Sequence, residues 1–443
     1  MIDCATDTWL SNPISVVLLV VLGVVVALLV VTIVILLVRA RRSGGRGGAG
    51  ASAALVLLAI VAVSAVSLGG PVAPASAAAP AACPAPAIGP DQDVAFTSGD
   101  VTFHASFRGP VDTAQPVPAV VIVVGTGAID RNGDAATLET QAYTWLADVM
   151  SANGIASLRY DKLGTGATGL GPYADDPDAL LALGYDELRL QPIRDALSFV
   201  AAQPGVDPER ILLLGHSEGG ADSLFVATNL KSAPELAGLL LIEPAYAQIL
   251  DVVSAQFAQQ MDGAVAGGAM SAEDAATLSA WMAEGVEEIR SGTAPFPAPG
   301  PVPLPDATGI AAVYQDTIAS NIFGIDPAQM VVTHAYRTLY GKQFDEIVPE
   351  ALSSLVRVPT LITCGTKDFN TPCGDGSPGS GVVAVAEGFA EGVAKFVMIA
   401  DMVHILRDTG TSDVFQPAGQ VVFPFSLALE SVIGDYLAQF VTR

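Results

Sequence analysis

Short, mostly apolar runs punctuate the chain from residue 91 onward, and between them lie segments that read as helices. Ala119–Val124 is fully apolar, the pattern of a strand buried in a parallel sheet, and Ile211–Leu214, Leu239–Ile242, Val358–Gly365 and Ala394–Ile399 read as further strands. Gly154–Tyr160 reads as one more strand, and the alternating, aromatic stretch Asp93–Phe107 as a hairpin at a sheet edge. Leu138–Met150, Asp186–Ala202, Val382–Gly392 and Phe425–Phe440 read as helices, the last with Pro424 tolerated at its start. Strand alternating with helix predicts α/β architecture. The rhythm stops between Tyr246 and Val348, where the helical stretches Ile249–Met261, Ala272–Arg290 and Pro327–Tyr340 are broken by proline-rich Phe296–Pro305. An insertion there would sit above the C-terminal ends of the strands, where an open sheet binds its ligand, so a lid is expected. The expected organisation is a core in two parts, 91–245 and 349–443, interrupted by a helical lid at 246–348.

The first ninety residues follow another pattern. Ile14–Val38 is uncharged and, at about 1.5 Å per residue, long enough to cross a hydrocarbon layer of roughly 30 Å. Asp3 and Asp7 precede it, while Arg39, Arg41, Arg42 and Arg46 follow it, so the positive-inside bias puts the arginines in the cytoplasm. Ala51–Leu68 is a second uncharged run that would cross back, which places everything after about residue 70 outside the cytoplasm. The alternative makes Arg39–Arg46 and the second run a signal peptide, cleaved near 77–79. The two readings agree on the compartment and differ on whether the rest stays tethered to membrane lipid. Residues 71–90, almost all Ala, Pro, Gly and Ser, are too poor in large apolar groups to pack and read as a spacer. Cys83 lies in it without the aliphatic residue expected three positions before a lipidated cysteine.

Charge narrows the partners. The formal net charge is −25, with only 20 basic residues, so nucleic acid is not an expected partner. The sequence leaves the oligomeric state open.

The candidate chemistry centres on RILLLGHSEGGADSL, residues 210–224. A serine at G-x-S-x-G spacing, after an apolar strand and before a helix, is held in a tight turn that pushes its hydroxyl clear of the sheet. Side chains at Gly215 and Gly219 would collide with neighbouring backbone, and the helix N-terminus turns partial positive charge toward the site. Ser217 needs a base, and the base needs an acid to fix its tautomer. His404, just past the last strand, is the expected base; His104 sits in the edge hairpin, His334 in the lid, and His216 is fixed by the turn with its ring expected to point away. Asp368, after the preceding strand, completes the order Ser, Asp, His, with Glu243 as the rival acid and Asp401 read as a turn residue. GTGAIDRNG at 125–133 reads as an oxyanion loop, with backbone N–H groups of Glu218 and Thr126 as donors, Gly127 being the alternative to Thr126. It lacks the G-x-x-x-x-G-K-[ST] pattern of a phosphate cradle, and Gly164 and Gly166 stand too far past their strand for a nicotinamide fingerprint. No cofactor is implied. No metal is implied either, since the four histidines are spread too widely for an ordinary zinc site.

These stretches, with RYDKLGTG at 159–166 and the GTKD and DMVH ends, resemble the α/β-hydrolase superfamily over about residues 93–443, close to bacterial esterase, serine aminopeptidase-like and dienelactone hydrolase-like members. The resemblance implies a central, mostly parallel eight-stranded sheet with a lid after the sixth strand, and Ser217, Asp368 and His404 as nucleophile, acid and base. Leu163 departs from the pattern, where relatives carry arginine or a small residue, as does Val124, where many carry histidine. Cys364 and Cys373 flank the Asp368 loop, and outside the cytoplasm a disulfide between them is expected to stiffen it. Acyl transfer to water is the expected reaction, on a small or medium ester. A peptide substrate would require an acidic anchor for its ammonium, such as Glu218 or Glu284. A non-catalytic surface-binding protein is the reading of a different class; it gives no reason to keep three reacting residues in order.

Overall fold

The computed structural model describes residues 88–443 except 112–114, 177–178, 181, 269, 292–342, 376–379, 415–416 and 442–443. The expected membrane segments at 14–38 and 51–68, most of the 71–90 spacer, and the Phe296–Pro305 and Pro327–Tyr340 stretches lie outside these residues. Among the described residues no helix is long and apolar enough to cross a membrane.

Eight strands form one sheet: β1 (Gln92–Ser98), β2 (Val101–Arg108), β3 (Val117–Val123), β4 (Ala156–Tyr160), β5 (Val206–His216), β6 (Leu236–Ile242), β7 (Thr360–Gly365) and β8 (Ala394–Ile399). Their order across the sheet is β1-β2-β4-β3-β5-β6-β7-β8. Only β2 runs against the rest, pairing antiparallel with both β1 and β4. The expected hairpin is therefore present and lies at the sheet edge. The mostly parallel eight-stranded sheet with helical insertions matches the α/β-hydrolase fold.

Alternation along each strand sends neighbouring side chains to opposite faces. Ala119, Val121 and Val123 pack on one side with helix α2 (Gln191–Ala201) and helix α3 (Glu218–Thr228). Val120, Ile122 and Val124 pack on the other with helix α1 (Ala142–Ala152) and the C-terminal Leu427–Val441 helix. Both faces are covered, which is why these strands carry no polar alternation. The helix expected over Asp186–Ala202 begins with a wider π turn, Asp186–Leu190, that seats Arg189 in the interior.

Of the insertion, two helices are described: α4 (Ile249–Ala266) and α5 (Ala272–Ser291). Asp345, near the end of the insertion, joins them. It accepts the Leu250 N–H at 2.9 Å and the Arg290 Nε–H at 2.7 Å. Ordering the base of α4 in this way fixes one wall of the cavity at the sheet's C-terminal edge.

Candidate active site

Strand β5 runs straight into the serine. Ser217 takes φ 58° and ψ −126°, a strained conformation for a residue with a side chain. The glycines around it are required by contact. A Cβ on Gly215 would lie 2.0 Å from the Gly219 carbonyl oxygen, and one on Gly219 would lie 2.5 Å from that of Val123. On Gly220 it would meet Pro244 Cβ at 2.6 Å. The serine is thus wedged between the ends of β3 and β6 and the start of α3.

His404 follows β8 in a loop and reaches back over the sheet. Its Nε2 is 3.0 Å from Ser217 Oγ, and its Nδ1 is 2.7 Å from Asp368 Oδ2. Asp368 follows β7 and is itself held: Oδ1 accepts the N–H groups of Asn370 at 2.7 Å and Thr371 at 3.0 Å, and Thr371 Oγ1 donates to Oδ2 at 2.7 Å. Burial alone would raise the Asp368 pKa, but the His404 imidazole and these hydrogen bonds outweigh it and hold the carboxyl well below the usual range. Burial likewise opposes charge on His404, and the Asp368 carboxylate overcomes it and raises the imidazole pKa. The three residues expected from separate parts of the chain meet. Cys364, in β7, and Cys373 form a disulfide with a Cα–Cα distance of 5.3 Å, bracketing the loop that carries Asp368.

His216 differs from expectation. Its ring does not turn away; it lies buried beneath the site, with its centroid 4.7 Å from that of His404. Nε2 is 3.0 Å from the His404 carbonyl oxygen and Nδ1 is 3.0 Å from Tyr143 Oη. A carbonyl can only accept, so Nε2 carries the hydrogen and Nδ1 accepts from the tyrosine. Burial, reinforced by the neighbouring His404, pushes the His216 pKa down to about 3, consistent with this neutral tautomer. Tyr143 Oη in turn accepts the Gly125 N–H at 2.8 Å, so a directed chain of hydrogen bonds joins the loop after β3 to the backbone of His404. The carbonyl of the same Gly125 accepts from buried Lys162 Nζ. Neither Tyr143 nor Lys162 was singled out from sequence. A tyrosine and a lysine in amphipathic or motif context look like core and surface residues until the partners are known.

Glu218 also departs from the reading that made it an anchor for an ammonium. It is 2% exposed, with Oε1 3.0 Å from Arg189 Nη2, which also lies 3.0 Å from Asp222 Oδ2. The carboxylate is committed to the interior, while its peptide opens α3 beside the serine. The side chain of Glu284 lies outside the described residues. His104 is exposed on β2, the inner strand of the edge hairpin, and Asp401 takes φ 58° in its turn.

Two histidines and Glu243 come closer together than the sequence suggested: ligand-type atoms of His216, Glu243 and His404 lie within 4.8 Å of one another. Every imidazole nitrogen in that group already has a protein partner at 3.0 Å or less. Without displacing one of those partners, the cluster offers an ion no free imidazole ligand.

Ser217, Thr126, Gly127 and His404 line a cavity of about 390 Å³. Apolar side chains of Ile129 and Leu138 and of Ile249, Val252 and Val253 in α4 line it, together with polar Gln256, Asn370 and Thr371. Among the described lining residues Glu218 is the one carboxylate, and it faces Arg189.

No family profile matches the sequence, and no curated protein matches it. Among solved structures, the chain is similar to the alpha/beta hydrolase GrgF from Penicillium sp. sh18, at 17% identity over 80% of this chain and 99% of that one, with a TM-score of 0.45. It is also similar to Est1E from Butyrivibrio proteoclasticus, solved with ferulic acid bound, at 14% identity over 78% and 97% of the two chains and a TM-score of 0.43. An acetyl xylan esterase from Paenibacillus sp. R4 is similar at 18% identity over 81% and 86%, with a TM-score of 0.43.

Proposed function

We propose that this protein is a serine hydrolase that transfers the acyl group of a small or medium carboxylic ester to water. One observation carries the reading: a serine hydroxyl, an imidazole and a carboxylate stand in line at 3.0 and 2.7 Å, with the serine lining a cavity. A surface-binding role has no use for that alignment.

In the proposed reaction His404 Nε2 takes the Ser217 proton as Oγ attacks the ester carbonyl carbon. The new C–O bond pushes an electron pair onto the carbonyl oxygen. Backbone N–H groups of Glu218 and of Thr126, or Gly127 in place of Thr126, receive that oxyanion. The Gly125 N–H is not among them, because Tyr143 holds it. Collapse expels the alcohol, which leaves with the proton from His404. Water, deprotonated by the same imidazole, then releases the acid and restores Ser217. Asp368 keeps Nδ1 protonated and stabilises each transient imidazolium.

An ester is favoured over a peptide N-terminus by the cavity wall. A substrate ammonium needs a carboxylate facing it, and Glu218, the one carboxylate among the described lining residues, is bound to Arg189. An apolar wall instead suits an uncharged acyl or alcohol group. On the same reading the hydrolase portion works outside the cytoplasm, tethered through the 14–38 and 51–68 segments or released near 77–79. The Cys364–Cys373 bridge supports that compartment, since such bonds persist where the surroundings are oxidising.

The test is Ser217→Ala on purified protein with short p-nitrophenyl esters. The expected loss of kcat exceeds about 10⁴-fold with the circular dichroism spectrum unchanged. Turnover equal to that of the unaltered protein would reject the assignment.

A further inference from the structure

Glu243 follows β6 and is fully buried, yet the proposed reaction gives it nothing to do. Its backbone takes φ 49°, an unfavourable conformation that aims the side chain under His404. Gly365 leaves the space: a Cβ there would stand 2.7 Å from Glu243 Oε1. Oε2 is 3.6 Å from His404 Nδ1, the nitrogen that Asp368 already holds at 2.7 Å. Among the described residues neither carboxyl oxygen of Glu243 has a hydrogen-bond donor. Among the described residues its ionisable neighbours are the Asp368 carboxylate and the two imidazoles; His216 spends its only N–H on the His404 carbonyl, and the Thr371 hydroxyl lies against the Glu243 backbone carbonyl and Asp368.

An ionised carboxylate in that position would be a buried charge with no donor, beside a second negative charge; such an arrangement is costly enough that one of the two acids keeps its proton. Asp368 has three donors besides His404, and Glu243 has none, so the proton belongs on Glu243. Burial first, and then the Asp368 charge, pushes the Glu243 pKa well above its ordinary value.

Resting on the proposed hydrolase reading, we infer that Glu243 is a protonated positioning residue which donates its O–H to the Asp368 carboxylate, and that it is the reserve acid of the site. With Asp368 present, the pair carries one negative charge, divided between the Glu243 O–H and the His404 Nδ1–H. With Asp368 neutralised, the like charge that adds to burial in keeping Glu243 protonated is gone, and the positive charge that forms on His404 offsets the burial that remains. Glu243 then ionises next to the imidazolium that forms during acyl transfer and takes over its stabilisation.

Two measurements test this. Asp368→Asn is expected to lose only about 10- to 100-fold in kcat, against the roughly 10⁴-fold typical when a lone triad acid is neutralised, and Asp368→Asn/Glu243→Gln to fall the full distance. A single variant as inactive as the double one would overturn the inference. Infrared difference spectra between the unaltered protein and Glu243→Gln at neutral pH do not depend on how Asp368→Asn folds. They are expected to contain the carbonyl stretch of a protonated carboxylic acid, and its absence would equally overturn the inference. Ser217→Ala separates the two levels: activity surviving there sinks the hydrolase reading itself, whereas equal loss in the single and double acid variants, with Ser217→Ala inactive, sinks the role of Glu243 alone.

Discussion

At the residue scale, strain and protonation are concentrated around one point. Ser217 and Glu243 both adopt positive φ, at the ends of neighbouring strands, where each costs about 1–3 kcal/mol that surrounding packing must outweigh. Both side chains converge on His404, whose working form is the neutral base. Because Asp368 raises the imidazole pKa, more base is available as the pH climbs. Hydrolysis should therefore rise through an apparent pKa above the ordinary imidazole value of about 6.5, and a pH–rate profile on a neutral ester checks this. An acid limb at or below the ordinary value would contradict the proposed coupling. The sign for stability is opposite. The raised His404 pKa contributes stability that is full below about 6.5 and is lost as the pH rises through the folded value, whereas the lowered Asp368 pKa contributes stability above about 3.8 that is lost on acidification.

At the scale of elements, the site is assembled from strand ends, and each strand end needs its own fastening. Strand β5 is fixed by glycine contacts, the loop after β3 by Tyr143 and Lys162 on the two sides of the Gly125 peptides, and the loop after β7 by the Cys364–Cys373 bridge. The bridge spans nine positions, a separation for which chain entropy gives about 2–3 kcal/mol of stabilisation. Cys364→Ser/Cys373→Ser should lower the unfolding free energy by about that amount. It should also lower kcat more than it raises KM, because the loosened segment carries Asp368 and not the apolar wall. Denaturant unfolding together with steady-state kinetics checks both parts; an unchanged kcat would mean that the loop is held without the bridge.

At the scale of the whole molecule, a net charge of −25 keeps polyanions away and leaves small neutral substrates unaffected. The doubly covered sheet supplies a rigid base. Asp91, just before β1, binds buried Arg159 of β4 at 2.6 Å and Arg108 of β2 at 2.7 Å, tying the reversed edge to the parallel body of the sheet. Where this body sits in the cell is a separate question, and the proposed answer is outside the cytoplasmic membrane. Protease added to intact cells should digest the portion after residue 70. Full protection until lysis would put the domain inside.

Much of this was legible in the sequence because the signals are local. Apolar runs without alternation mark β3 and the ends of β5 and β6, since a strand covered on both faces has no polar side, whereas β8, with Lys395 inside it and Met398 exposed, is an edge strand. The Gly215–Gly220 spacing is a steric requirement that leaves its mark directly in residue identity, and the order Ser217, Asp368, His404 follows from which strand ends carry reacting groups. The orientation of His216, the burial of Glu218 against Arg189 and the crowding of Glu243 beside Asp368 were not legible, because each depends on a partner from a distant segment. Local chain chemistry by itself determined the strands, the turn at the serine and the candidate reacting groups. Only the tertiary structure decided which carboxyl lacks a donor, which ring lies beneath the base and which acid turns into the interior, because burial and hydrogen-bond partnership belong to the packed sheet and not to any stretch of it.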